Sequence, residues 1–137
     1  MSFLGTSAGS AADLTLIIQI AGFIVLSLAV VYVKRNDFPR HFRMTRLAVF
    51  WGAVAFVWMG YSFVNNFQAL MAHATTLPSL LTISHAIIGT LAMLSGISFA
   101  VDRVIKKTRY QMRPVFLLWA AALILGVAVY AVYYIHL

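Results

Sequence analysis

The chain contains no cysteine, so disulfides, thiolate metal sites, iron–sulfur clusters and cysteine nucleophiles are all excluded, and the redox compartment stays open. Acid is almost as scarce: there are three carboxylates, Asp13, Asp37 and Asp102, and no glutamate. Each lies at the border of an apolar run. There, no two of them form the paired acid and base, or the carboxylate-oriented triad, that hydrolytic chemistry needs. A glycine-rich phosphate loop and a Ser-His-Asp set are also missing. Without an acid inside the membrane or an inverted repeat, there is little to couple an ion to a substrate. Neither an enzyme nor a transporter is expected.

Charge of either sign is rare, at 9% of residues against 63% hydrophobic, and the mean hydropathy is +0.93. A soluble domain of 137 residues needs far more polar surface than this. The composition is that of an integral membrane protein. The ten basic residues fall in two windows, Lys34, Arg35, Arg40, Arg43 and Arg46, then Arg103, Lys106, Lys107, Arg109 and Arg113. Clusters beside apolar runs act as topology signals and touch anionic lipid head groups, so nucleic acid is not an expected partner. They place the first and third connections in the cytoplasm of a cell-membrane protein. The uncharged connection 72–78 and both termini then lie outside. No Lys or Arg precedes the first apolar run, so that run is expected to stay as a span and not to be cleaved as a signal.

Four apolar runs, about 14–33, 47–71, 79–101 and 114–135, are each long enough to cross a hydrocarbon core of about 30 Å as helix. The expected fold is all-α, a four-helix transmembrane bundle of up-down topology, forming a single transmembrane domain over 1–137. Asp13 or Ser10 is expected to cap the first helix, and Gln19 to bond a neighbouring helix. Pro39 should break the helix within a polar connection, leaving His41 solvated or facing lipid among its arginines. Pro114 suits the first turn of the last helix.

On the second run Ala48, Gly52, Ala55, Met59, Ser62 and Asn66 recur at helical spacing as one small or polar face, which should point inward. Gly52, Ala55, Gly89, Ala92, Gly96 and Gly126 are the expected helix-packing positions. Tyr130, Tyr133 and Tyr134 should form an interfacial belt.

His85 is the one ionisable side chain well inside a span, about 9 Å along the helix from Ser79. It shares a face with Gly89, Ala92 and Gly96, which turns it toward the bundle. Two readings follow. A neutral imidazole bonds a tyrosine, a serine or a backbone carbonyl of a neighbouring span, with Tyr61, Ser62, Asn65 and Tyr130 as the reachable side chains. Alternatively, the histidines of the outer side hold a cofactor: His85 with His136 for a haem b, or His73, His85 and His136 for copper or zinc. The first reading needs no cofactor.

The stretches Arg40-His41-Phe42-Arg43-Met44, Ile83-Ser84-His85, Lys107-Thr108-Arg109-Tyr110, Arg113-Pro114 and Gly126-Val127-Ala128-Val129-Tyr130 stand in an order that resembles the DUF420 family of four-span membrane proteins. That family includes CtaM-like assembly factors for haem–copper cytochrome oxidases. The likeness runs from Leu14 to the C-terminus, through short motifs. It implies that His41 and His85 match the family's histidines before the second span and in the third. Asn65 and Tyr110 stand where the family pattern has two more. The resemblance therefore implies a relative that keeps the fold as a structural or accessory subunit. The expected function is a non-catalytic accessory or assembly component of a larger membrane oxidoreductase, of the haem–copper oxidase or copper-dependent monooxygenase type, with other transmembrane subunits and lipid as partners. The alternative is a haem- or copper-binding module built on His85.

Overall fold

A computed structural model describes residues 2–101 and 109–135. The elements are α1 (Ser10–Lys34), α2 (Phe38–Asn65), the short α3 (Phe67–Ala72), α4 (Leu77–Ala100) and α5 (Arg109–Tyr134), with no strand among the described residues. The four long helices are long and apolar enough to cross a membrane, and 25 residues of α1 reach about 37 Å at 1.5 Å per residue. The protein is a multi-pass, all-helical membrane bundle.

Polar residues inside the spans are neutralised locally. The hydroxyls of Thr15, Ser27, Thr82, Thr90 and Ser98 each donate to the carbonyl one turn back in their own helix, at 2.7–2.9 Å. Such back-bonding lets a hydroxyl sit in hydrocarbon, where an unpaired polar group costs several kcal/mol.

The helix ends correct the sequence reading in several places. The basic stretch after α1 is mostly helix: only residues 35–37 turn, with Asn36 left-handed at φ 59°. Asp37 caps α2 by accepting from the Arg40 amide at 3.2 Å, and it pairs with the Arg40 guanidinium at 3.3 Å. Pro39, expected to break a helix, sits in the first turn of α2, where no amide hydrogen is needed. Conversely, Pro114 lies inside α5, because that helix begins at Arg109, ahead of the apolar run. The expected second span to Met71 stops at Asn65, where the Asn66 amide side chain turns back to the Ser62 carbonyl at 2.8 Å. Neither Asp13 nor Ser10 caps α1; its cap is Gly9, without a side-chain bond.

The helices form a ring in the order α1, α2, α4, α5, each against two neighbours. Small residues line the contacts: Ala29 and Ala48 are wholly buried, and Ala55 and Ala92 nearly so. Large ones such as Phe50, Val57, Leu117 and Ile124 face outward. In lipid, where outward apolar residues lose nothing, close approach of small residues is what holds helices together. In the half of the bundle nearer the basic residues the core is filled by Trp119. Its ring lies so close to α2 and α4 that a Cβ at Gly52 would meet it at 2.7 Å, and one at Gly96 at 2.9 Å. Its indole N–H donates to the Ala92 carbonyl at 2.9 Å.

Candidate functional site

The other half, where α1 begins and α5 finishes, carries no Lys or Arg and is hollow. A cavity of about 1000 Å³ opens there between all four long helices and α3. Its walls come from Gln19 of α1, Met59 and Phe63 of α2, His85 and Gly89 of α4, and Gly126 and Tyr130 of α5. Gly60 and Gly89 have only open space where a side chain would be, so no side chain among the described residues fills this half as Trp119 fills the other. Gly89 is therefore a wall of the cavity and not the close helix contact expected of it.

His85 stands at the inner wall. Its Nδ1 lies 2.9 Å from the Ala122 carbonyl of α5. A carbonyl only accepts, so the ring proton is on Nδ1 and the Nε2 lone pair is bare. That nitrogen faces the Met59 sulfur at 3.4 Å, and the Gln19 amide donates to the same sulfur at 3.4 Å. Gly126 makes the arrangement possible. It lies one turn past Ala122, and a Cβ there would stand 3.0 Å from both His85 Cε1 and Gln19 Oε1.

Of the partners anticipated for His85, the backbone carbonyl is the one found. Tyr61 and Asn65 are exposed, Ser62 borders the cavity, and Tyr130 is engaged elsewhere. Met59 was visible only as a member of the small face of α2. The signal for it was its position on that face near the end of the helix, opposite the polar intrusion of Gln19.

Comparison with protein-family models, curated proteins and solved structures finds no match.

His73 is exposed, bonds the Ala69 carbonyl of its own turn at 3.2 Å and borders the same cavity as His85. His136 lies outside the described residues, as do Arg103, Lys106 and Lys107 and the side chain of Arg109. Among the described residues no three of His, Cys, Asp and Glu come together as a metal cluster. Lys34, Arg35, Arg40, Arg43, Arg46 and Arg113 lie at the surface, partly or fully exposed, as residues at a lipid surface are. Gly52, Ala55, Ala92 and Gly96 lie at helix contacts or against Trp119.

Two further polar groups differ from expectation. His41 is buried, with Nδ1 2.8 Å from the Ala29 carbonyl of α1 and a buried Nε2 without a partner among the described residues. Helix α2 starts early enough to include it and to set it on the face that packs against α1. Asp13 is fully buried. The segment 2–8 folds over it, so that its carboxylate accepts from the Ser2 hydroxyl at 2.7 Å and from the Phe3 and Leu4 amides at 2.6 and 3.1 Å. Tyr130 donates to its other oxygen and receives the Thr6 hydroxyl at 2.7 Å. Tyr130 is thus a buried link between the two chain ends and not a belt residue.

Proposed function

We propose that the chain is a non-catalytic accessory or assembly subunit of a larger membrane oxidoreductase, of the haem–copper oxidase or copper-dependent monooxygenase type. The observation that supports this reading is the hollow half of the bundle: a cavity with a ligand-type nitrogen in its wall and, among the described residues, no carboxylate in its lining. Such a site suits holding a group for a partner better than transforming one. The resemblance of the basic and histidine motifs to oxidase assembly factors supports the same role, and the basic windows favour the orientation with those connections in the cytoplasm. Solubilisation in a mild detergent, affinity capture and mass spectrometry test it. Oxidoreductase subunits should co-purify in fixed proportion, and a chain that runs alone overturns the role.

The second reading is a cofactor module, and the bare Nε2 of His85 favours it. An imidazole whose other nitrogen is tied to a carbonyl is set up as a metal ligand, so the residues present fit an axial haem ligand or a copper ligand. A visible spectrum and metal analysis of the purified protein test this. A Soret band or bound copper that is lost in His85→Ala would support the module, whereas a colourless, metal-free preparation would remove it.

A further inference from the structure

We infer that His85 Nε2 and Met59 Sδ form a ready-made ligand pair for a single soft, monovalent metal ion of the Cu(I) class. The inference rests on the cofactor reading of this cavity and says which group it takes.

Three observations carry it. The first is the separation. An ion with tetrahedral angles, at about 2.0 Å from nitrogen and about 2.3 Å from sulfur, holds the two ligand atoms roughly 3.5 Å apart. His85 Nε2 and Met59 Sδ are 3.4 Å apart, so the two helices already hold the ligand atoms at the separation such an ion needs. Ligation from opposite faces of a haem iron needs the same two atoms roughly 4.3 Å apart at those bond lengths, which this packing does not give.

The second is protonation. Because the Ala122 carbonyl holds the ring proton on Nδ1, Nε2 has no proton to release on binding, and the carbonyl fixes the plane of the ring.

The third is charge. Among the described residues no carboxylate or thiolate lines the cavity; the pair is one neutral imidazole and one thioether. Hard dications need oxygen anions around them, and the cost of taking an ion out of water rises with the square of its charge. Neutral nitrogen and soft sulfur in an apolar wall therefore select Cu(I). The Gln19 amide lies against the same sulfur and beside the His85 ring at Gly126.

The test uses the full chain in detergent, titrated anaerobically with Cu(I) against a chromophoric chelator, with X-ray absorption at the copper edge of the loaded protein. One ion per chain is expected, with a nitrogen ligand and a sulfur shell at about 2.3 Å. Met59→Leu, close in volume and free of sulfur, should lose the sulfur shell and weaken binding by more than about 10-fold, the lower end of what loss of even an outer-shell partner does. It should keep the helical circular dichroism and elution volume of the parent, so the result stands even if His85→Gln fails to fold. Failure of the parent to take up Cu(I), or uptake unchanged in Met59→Leu, overturns the inference. A His85-dependent Soret band without Cu(I) uptake also overturns it and leaves the haem module standing, whereas a protein that takes up neither removes both.

Discussion

Trp119 and His85 join the same two helices by opposite bonds. The indole of α5 donates to the Ala92 carbonyl of α4 at 2.9 Å, and the imidazole of α4 donates to the Ala122 carbonyl of α5 at 2.9 Å. Both rings fit where glycine has removed a side chain, Gly52 and Gly96 for one and Gly126 for the other. The difference lies in what is left over. An indole has one polar atom, which the bond satisfies, and its bulk closes the surrounding space. An imidazole has two, and the one left free of the carbonyl faces the Met59 sulfur in the wall of a cavity of about 1000 Å³. One half of the bundle is thus filled and the other open.

If that contrast is right, changes in the filled half should cost stability and changes in the hollow half should cost binding. The largest loss is expected from Trp119→Ala, about 3 kcal/mol in detergent unfolding titrations. That is the lower end for a packed tryptophan, because Trp119 is only part-buried and lipid, not water, surrounds the ring in the unfolded reference state. Next comes Gly52→Ala. It forces a ring already held between α2 and α4, and should cost about 1–3 kcal/mol; Trp119→Phe in the same chain should recover much of it, since the two sites share one space. His85→Ala should lower stability by only about 0.6–2 kcal/mol, the usual worth of a hydrogen bond between membrane helices. The smallest stability effect, about 0.6 kcal/mol, is expected for Gly126→Ala, because Gln19 and His85 border open space and can shift. Yet that shift breaks the alignment of His85 with Ala122, so cofactor or metal uptake should fall while the unfolding midpoint hardly moves. A Gly126→Ala protein as unstable as Gly52→Ala would erase the distinction between the halves.

The long helices were legible because a bilayer demands length and apolarity, and both are properties of the sequence alone. The inward face of α2 was legible for a similar reason: Ala48, Gly52, Ala55 and Met59 repeat at the pitch of a helix. Prolines misled, since Pro39 and Pro114 carry the same restriction whether a helix starts at them or runs through them. Asp37, two residues before Pro39 and bonded to the Arg40 amide, was the overlooked sign of a start. His41 and Asp13 could not be read at all. Their burial depends on which backbone atoms another segment brings to them, Ala29 for one and residues 2–4 for the other, and hydropathy does not encode such pairings. Met59 was missed because a thioether in an apolar run looks like packing until an imidazole is seen beside it.

The buried carboxylate of Asp13 is held by two kinds of partner. Its donors from Ser2, Phe3 and Leu4 come from 9 to 11 residues away, so the segment before α1 shelters the charge by itself. Tyr130 is separated from it by 117 residues, so the same carboxylate also fastens α1 to α5 and closes the ring. The seam between those two helices is thus a latch on a charge that its own neighbours keep out of water.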